Sequence, residues 1–299
     1  MDRRTLIKSI VVGGAIAGSQ KVLASKNSYA IGVTSNGASQ TSSNTNEKSG
    51  NTEKNRSTGG EKDYLTKIKN FNRHFSEDVI LTDHRLQILI SVTQRLRRVR
   101  SIVGHANFSL LSFDHALLYA RRYSKIGKFP NEEIAFLEEV FYTNANDYGF
   151  FGSKVTTNIT AKISKREIQK IPYTGNFLFR QDSVNLYQKI RKDIGKSIVL
   201  TSGVRGVVKQ MYLFLAKATR SNGNLSMASR SLAPPGHSFH GNGDFDVGKV
   251  GYGHRNFTED FAKTKEFRRL EELGYIRIRY HENNPFGVRF EPWHVKVAI

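Results

Sequence analysis

The pattern of apolar residues changes twice along this 299-residue chain, and each change limits the fold. Residues 25–62 are rich in Ser, Asn, Thr, Gly and Lys and predict a disordered linker, because they cannot bury a core. Over residues 63–150 apolar positions recur three and four apart, which predicts a small all-helical region. Residues 151–180 are predicted to form a loop-rich joint between the two folded regions. Over residues 181–299 short β-branched runs alternate with amphipathic stretches, which predicts an α+β domain with a small, mainly antiparallel sheet and flanking helices.

Individual elements follow from the same patterns. Residues 163–171 predict a short helix in the joint, and residues 198–201 predict a buried strand. Residues 259–273 predict an amphipathic helix. Near the end, residues 276–280 and 288–297 alternate around an Asn-Asn-Pro turn and predict a β-hairpin.

The first 24 residues have the three-part form of a signal peptide. Arg3 and Arg4 precede a short apolar run of small residues. Val22 and Ala24 occupy positions −3 and −1 of a possible cleavage site after Ala24, where small or β-branched residues are suitable. The paired arginines followed by Leu-Ile-Lys resemble a twin-arginine export signal, with an ordinary secretory signal as the alternative. We therefore expect a periplasmic or cell-envelope protein.

The formal net charge of +20 favours polyanionic partners. An anionic cell-wall polymer or membrane surface fits an exported protein, whereas no repeat typical of nucleic-acid modules occurs and no nucleic-acid partner is expected. A well-solvated surface is the simpler alternative. The chain has no cysteine, which excludes disulfides and thiolate zinc sites.

Two segments, residues 238–246 and 291–294, contain the imidazoles and carboxylates of an open zinc site. His240 and His294 are nitrogen donors, and Asp246 can supply an oxygen. Asp244 would share a face of the strand with Asp246, so that one carboxylate can ligate while the other orients an imidazole.

Glu291 is the candidate general base. A carboxylate beside a metal-activated water can take its proton and pass it to a leaving amine. In a regular strand Glu291 and His294 would lie on opposite faces, but Pro292 favours a bulge or strand end there. The alternative is an ion pair with Arg289.

Arg205 follows the predicted strand 198–201 in the sequence Ser-Gly-Val-Arg. An arginine there can bind a substrate carboxylate or stabilise an oxyanion, and a structural salt bridge is the alternative. Trp293, the single tryptophan, is expected to pack or to form a pocket wall.

Three motifs together resemble the zinc D-alanyl-D-alanine carboxypeptidases of the VanY and VanX type over roughly residues 175–299. They are Ser-x-His-x-x-Gly at 238–243 with a following Asp, Glu-x-Trp-His at 291–294, and Ser-Gly-x-Arg at 202–205. The resemblance implies zinc held by His240, Asp246 and His294. It also implies Glu291 as catalytic base, Arg205 as a clamp on substrate or transition state, and Ser238 as a residue that shapes the substrate site.

One departure from the family pattern concerns the turn between the first histidine and the aspartate. Five residues separate His240 from Asp246, one fewer than the family's usual spacing. Val247 and Gly248 follow Asp246 as in the family, which favours Asp246 as the ligand and keeps Asp244 as the alternative.

The function that the resemblance implies is an exported zinc metallopeptidase acting on peptidoglycan stem peptides. A D-Ala-D-Ala carboxypeptidase is the leading expectation. The alternatives are a cross-link endopeptidase or an L,D-carboxypeptidase on the same scaffold, or a non-catalytic zinc-containing module that binds the cell wall.

Overall fold

Helices make up most of the first half of the structure, a computed structural model that describes residues 63–275 and 279–297. After a helical stretch at 63–69, these helices are α1 (Asp83–Val103), the single turn α2 (His105–Phe108), α3 (Phe113–Arg122) and α4 (Asn131–Tyr142), followed by a 3-10 turn at Ala145–Tyr148. Gly104 ends α1 with φ of +82°, a conformation that glycine adopts without strain. Ser112 caps α3 by accepting a hydrogen bond from the His115 backbone N–H.

The second half alternates strands and helices. Its elements are β1 (Ile168–Ile171), β2 (Asn176–Phe179), α5 (Asp182–Ile194), β3 (Ile198–Ser202), α6 (Val207–Arg220), α7 (Leu225–Ser231), a 3-10 turn (Phe239–Gly241), β4 (Phe245–Lys249), two further 3-10 turns (Gly253–Phe257 and Glu259–Lys263), α8 (Lys265–Glu272) and β5 (His294–Val295). The predicted α+β class is confirmed.

A three-stranded antiparallel sheet with the order β3-β4-β5 forms the centre of this half. Asp246 of β4 pairs directly with His294 of β5, and an irregularity between Leu200 and Ser202 shifts the register of β3 against β4. The apolar side chains of the sheet pack with α5 and α8 into one core, whose most buried members include Ile198, Phe245 and Leu270.

A second core joins the two halves of the sequence. Leu89 of α1 and Phe141 of α4 belong to the same buried cluster as Phe214 and Leu215 of α6. All four side chains are fully buried. The helices of 63–150 therefore pack on a helix of the 181–299 segment.

Three of the predicted elements are wrong in type or extent. The helix predicted at 163–171 is replaced by β1, which pairs with β2 through a tight turn where Tyr173 and Gly175 take positive φ. The helix predicted at 259–273 is broken into a 3-10 turn and α8, because Thr264 caps a new helix by accepting from the Phe267 N–H.

The predicted C-terminal hairpin is also wrong over its second arm. Residues 288–293 form no strand, and only His294–Val295 joins the sheet. Pro292 has no N–H to donate, and the chain turns there with the His294 N–H bonded to the Glu291 carbonyl. Part of the first arm, residues 276–278, lies outside the described residues, as do the predicted signal peptide and linker.

Within the described ranges, no helix combines the length and the apolar character needed to cross a membrane.

Candidate metal centre

Three buried side chains converge at the junction of β4 and β5. His240, Asp246 and His294 each offer one ligand atom, and these atoms lie within 4.8 Å of one another. Oδ1 of Asp246 is 3.2 Å from Nε2 of His240 and 3.2 Å from Nδ1 of His294. None of the three side chains is more than 2% exposed.

The sheet and one tight turn bring these residues together. Asp246 and His294 are cross-strand neighbours, whereas His240 lies on the 3-10 turn just before β4. Gly243 takes φ of +116° between that turn and the strand, a conformation that a residue with a side chain rarely adopts. The five residues between His240 and Asp246 are therefore enough to bring both side chains to one point.

Each imidazole is held by a hydrogen bond on the nitrogen that faces away from Asp246. Nδ1 of His240 donates to the Gly203 carbonyl at 2.9 Å, and Nε2 of His294 donates to Oδ2 of Asp244 at 2.9 Å. The other ring nitrogen of each histidine consequently faces Asp246, as in metal centres whose histidines are oriented by outer hydrogen-bond acceptors.

Asp246 has one satisfied and one unsatisfied oxygen. Its Oδ2 accepts from Nη2 of Arg205 at 2.5 Å, whereas Oδ1 is buried and accepts no hydrogen bond from the described residues. Burial disfavours the carboxylate, but His240 and Arg205 hold the pKa of Asp246 well below its usual range. An ionised oxygen beside two imidazole nitrogens is a donor set that fits zinc once His294 is deprotonated.

The two histidines differ electrostatically. Burial, and then the Arg205 cation, lower the pKa of His240 to about 4, so that it is neutral and ready to ligate. Burial opposes the cationic form of His294 as well, but its hydrogen bond to Asp244 and its 3.2 Å contact with Asp246 raise its pKa to about 9. A metal would have to displace a proton from His294.

Asp244, the alternative ligand of the sequence analysis, lies outside the cluster. Its Oδ2 accepts from His294 and, at 2.6 Å, from Nε of Arg279, and its Oδ1 accepts from the Val297 N–H at 2.9 Å. Although burial favours the neutral acid, these bonds hold the pKa of Asp244 at about 2. Asp244 is thus an anionic acceptor that orients His294.

Glu291 lies beside the cluster because the chain turns between it and β5. The His294 N–H donates to the Glu291 carbonyl at 3.1 Å, and Oε2 of Glu291 is 3.9 Å from Nδ1 of His294. The turn overcomes the opposite-face geometry of a regular strand. Burial raises the pKa of Glu291 to about 7, a value suited to accepting and returning a proton near neutral pH.

Arg205 is engaged with its own protein. Nε donates to Oγ of Ser202 at 2.9 Å while Nη2 holds Asp246, and the side chain is 12% exposed. This is the geometry of a salt bridge that fixes the aspartate. The predicted role of Arg205 as a substrate clamp stays a prediction.

The other predicted residues lie near the centre in different settings. Trp293 is buried, packs edge-on against Phe257, and lies under the guanidinium of Arg289 at 4.8 Å. Ser238 is buried at the start of the 3-10 turn, where its carbonyl accepts from the Gly241 N–H. The structure therefore connects Ser238 with the turn that carries His240.

A cavity of about 490 Å³ opens beside Glu291. It is bounded by Asp246 and Glu291 at the cluster and by residues from α2, α6 and the strands beyond it. The remaining lining residues are His105, Ser109, Asn176, Thr201, Ser202, Arg205, Lys209, Leu213, Arg220, Leu232, Phe257, Arg289 and Trp293. Residues of the N-terminal helices thus form part of the wall.

Sequence reasoning missed two supports of the centre. The first is Gly203, where a Cβ would lie 2.0 Å from the Phe177 carbonyl oxygen, so that only glycine allows its carbonyl to reach His240. The second is Arg279, which holds Asp244 and stacks 3.5 Å from the ring centroid of Phe239. Gly203 belongs to the Ser-Gly-x-Arg motif and Arg279 to the Arg-Tyr pair at 279–280 that also resembles the family, but the sequence indicated no role for either residue.

Residues 180–298 match the family model described as VanY, D-alanyl-D-alanine carboxypeptidase. The resemblance predicted from the three motifs is confirmed over this range. The chain is also similar to a solved structure, a Zn(II) complex of a mutant vancomycin-resistance D,D-pentapeptidase VanY from a VanB-type resistance cassette. The two are 24% identical, the match covers 44% of this chain and 78% of that one, and the TM-score is 0.36. No curated protein matches the chain.

Proposed function

We propose that this protein is a zinc metallopeptidase that removes the terminal D-alanine from peptidoglycan stem peptides in the cell envelope. The single observation that carries the proposal is the convergence of three buried donor atoms, one of them an orphaned carboxylate oxygen, beside a buried glutamate. The match of residues 180–298 to the D-alanyl-D-alanine carboxypeptidase family supports the choice of substrate.

The residues present would hold zinc through Nε2 of His240, Oδ1 of Asp246 and Nδ1 of His294. Zinc supplies Lewis-acid polarisation of the scissile carbonyl and lowers the pKa of water. Arg205 keeps Asp246 in place by occupying its second oxygen. Asp244 and the Gly203 carbonyl fix the two rings so that each presents a lone pair to the same point.

Glu291 performs the proton transfers. A carboxylate oxygen of Glu291 accepts a proton from the attacking water as the new C–O bond forms at the scissile carbonyl. The same oxygen then protonates the leaving amine nitrogen as the C–N bond breaks. A pKa of about 7 suits both directions of this transfer.

Release of D-alanine from a synthetic stem pentapeptide tests the activity. We expect turnover that a strong chelator abolishes and added Zn²⁺ restores. Absence of release at saturating Zn²⁺, with folded protein, would contradict the proposal. Parallel incubation with cross-linked muropeptides separates carboxypeptidase from endopeptidase action.

Export is a separate part of the proposal, supported by the paired arginines and apolar run of residues 1–24. A reporter fused to residues 1–30 should reach the periplasm or envelope. Exchange of Arg3 and Arg4 for lysine should retain it in the cytoplasm if the twin-arginine route is used. Retention of the unaltered fusion would contradict export.

A further inference from the structure

The surface formed by the end of α3 and the loop after it is strongly cationic. Residues 94–128 contain eight arginines and lysines against a single acidic residue, Asp114, which lies in the first turn of α3. Four exposed cations of this surface form no ion pair with any described residue. They are Arg121, Arg122, Lys125 and Lys128. Exposed charges of one sign without internal partners attract the opposite charge from outside the chain.

Hydrogen bonds hold this loop against α1, which adds a fifth cation to the surface. Nη1 of Arg95 donates to the carbonyls of Ile126 and Gly127, in both cases at 3.1 Å. Nε of Arg98 donates to the Ile126 carbonyl at 3.1 Å. The Arg98 guanidinium therefore lies beside the segment 125–128. We call the following five residues the basic face: Arg98, Arg121, Arg122, Lys125 and Lys128.

The neighbouring acidic residues do not neutralise the basic face. Three acids of α4 pair instead with other residues of α1: Glu132 with His84, Glu133 with Arg95, and Glu139 with Arg85. The dipole of α3 favours cations in its last turn and accounts for Arg121 and Arg122. It does not account for Lys125 and Lys128, which follow the helix. The basic face therefore carries more positive charge than local structure requires.

Two exposed apolar side chains lie among these cations. Leu118 is 46% exposed and precedes Arg121 and Arg122 by three and four positions, so it shares their face of α3. The ring of Tyr123 is 39% exposed and stacks on that of Tyr119, with 5.7 Å between the ring centroids. Apolar and aromatic side chains beside lysines and arginines are typical of surfaces that lie between lipid headgroups and acyl chains. A hydrated polyanion offers them no apolar contact.

We infer that the basic face docks on an anionic lipid bilayer, with Leu118 and Tyr123 at the headgroup boundary. Charge complementarity provides the attraction, because each Lys or Arg near an anionic membrane strengthens binding by roughly fivefold. The two apolar side chains favour a bilayer over a soluble anionic polymer. None of these residues lines the cavity beside Glu291, so the inference is independent of the proposed peptidase activity.

Vesicle sedimentation tests the inference with the full chain, so that residues 1–24 contribute equally in every variant. We expect the wild type to bind vesicles made of equal parts phosphatidylglycerol and phosphatidylcholine, and to bind pure phosphatidylcholine far more weakly. The triple variant Arg121→Gln, Arg122→Gln, Lys125→Gln should bind the mixed vesicles roughly 100-fold more weakly, because three cations are lost. Equal binding of the wild type to both kinds of vesicle, or wild-type binding by the triple variant, would overturn the inference.

A matched variant separates the basic face from the net charge of the protein. The substitutions Arg255→Gln, Lys263→Gln and Arg269→Gln remove three exposed cations that each pair with an acidic residue, at 3.2, 3.1 and 2.9 Å. They lower the net charge by the same amount and should weaken binding by less than roughly fivefold, the contribution of one cation. An effect as large as that of the first variant would mean that overall charge drives binding, and would reject the basic face as the docking surface.

The double variant Leu118→Asn, Tyr123→Ser distinguishes a bilayer from a soluble polyanion. Loss of both apolar groups should weaken binding to the mixed vesicles by roughly 10-fold and leave binding to inorganic polyphosphate unchanged. Unchanged vesicle binding would mean that the face recognises polyanions in general, which would contradict docking on a bilayer. All the substituted side chains are exposed, so the variants should fold as the wild type does.

Discussion

Asp78 and Asp246 are two buried carboxylates that each face an arginine, yet only one of the two arrangements is complete. Both oxygens of Asp78 accept from Arg230, at 2.6 and 2.9 Å, and Oδ2 also accepts from Asn224 and the Phe75 N–H. Asp246 receives one arginine on one oxygen, whereas its other oxygen lies 3.2 Å from one nitrogen of each imidazole and accepts no hydrogen bond from the described residues. A complete set of partners marks a structural ion pair, whereas an incomplete one marks a place for a ligand.

Asp246→Asn gives the largest expected effect on this contrast. The substitution keeps the shape but removes the charge on the oxygen between the two imidazoles, so zinc and turnover should both be lost. The loss should exceed the roughly 10- to 100-fold typical of residues outside the ligand set. Zinc content of the purified variant is the measurement, and stoichiometric zinc with full activity would contradict the assignment.

Glu291→Gln separates the base from the ligands. We expect kcat to fall by roughly 10²- to 10⁴-fold while zinc content stays at the wild-type level. Zinc analysis and D-alanine release on the same preparation check both halves. An active Gln variant would mean that another group moves the proton, whereas loss of zinc would place Glu291 among the ligands.

Asp78→Asn should affect stability alone. The side chains of Asp78 and Arg230 are 3% and 5% exposed, and removing one charge leaves the arginine buried without its partner. The expected cost is about 3 kcal/mol of unfolding free energy. Urea titration measures it, and zinc content per folded molecule should not change. Loss of zinc in this variant would remove the distinction between the two carboxylates.

Asp244→Asn should produce a smaller change in metal binding. The amide can still accept from His294, but it no longer supplies the charge that orients the ring, so zinc affinity should fall roughly 10- to 100-fold. Competition with a chromophoric chelator gives the dissociation constant. Complete loss of zinc would indicate that Asp244 ligates directly.

The smallest effect concerns acid stability. Burial opposes ionisation of Asp78, but its bonds to Arg230 and Asn224 lower its pKa in the folded state. Stability from this pair is therefore fully present above the unfolded-state pKa of about 4 and is lost as the pH falls through the folded value. Asp78→Asn should flatten the pH dependence of the unfolding free energy below about pH 4, and an unchanged slope would exclude Asp78 as its source.

Local chemistry explains how much of this could be predicted from the sequence. The strand predicted at 198–201 follows from its apolar pattern and forms as β3. His240, Asp246 and His294 come together as the motifs indicated. The short helix predicted at 163–171 failed because two buried isoleucines suit a strand as well as a helix, and only pairing with β2 decides between them.

Contacts between distant segments account for the rest. Arg279 reaches Asp244 across 35 positions of sequence, and the Gly203 carbonyl reaches His240 across 37. Neither contact produces a periodic pattern in the sequence from which it could be predicted. The turn at Pro292 was anticipated as an interruption, but its effect of bringing Glu291 next to His294 depends on where β5 joins the sheet.

Because α1 and α6 share one core, the segment that matches the family model is not the segment that can be expected to fold by itself. The family match begins at residue 180, yet Phe214 and Leu215 of α6 are covered by helices that precede it. A protein shortened to the matched segment would turn that covered face of α6 outward as an adhesive apolar patch. Recombinant expression of residues 180–299 alone should therefore yield aggregates.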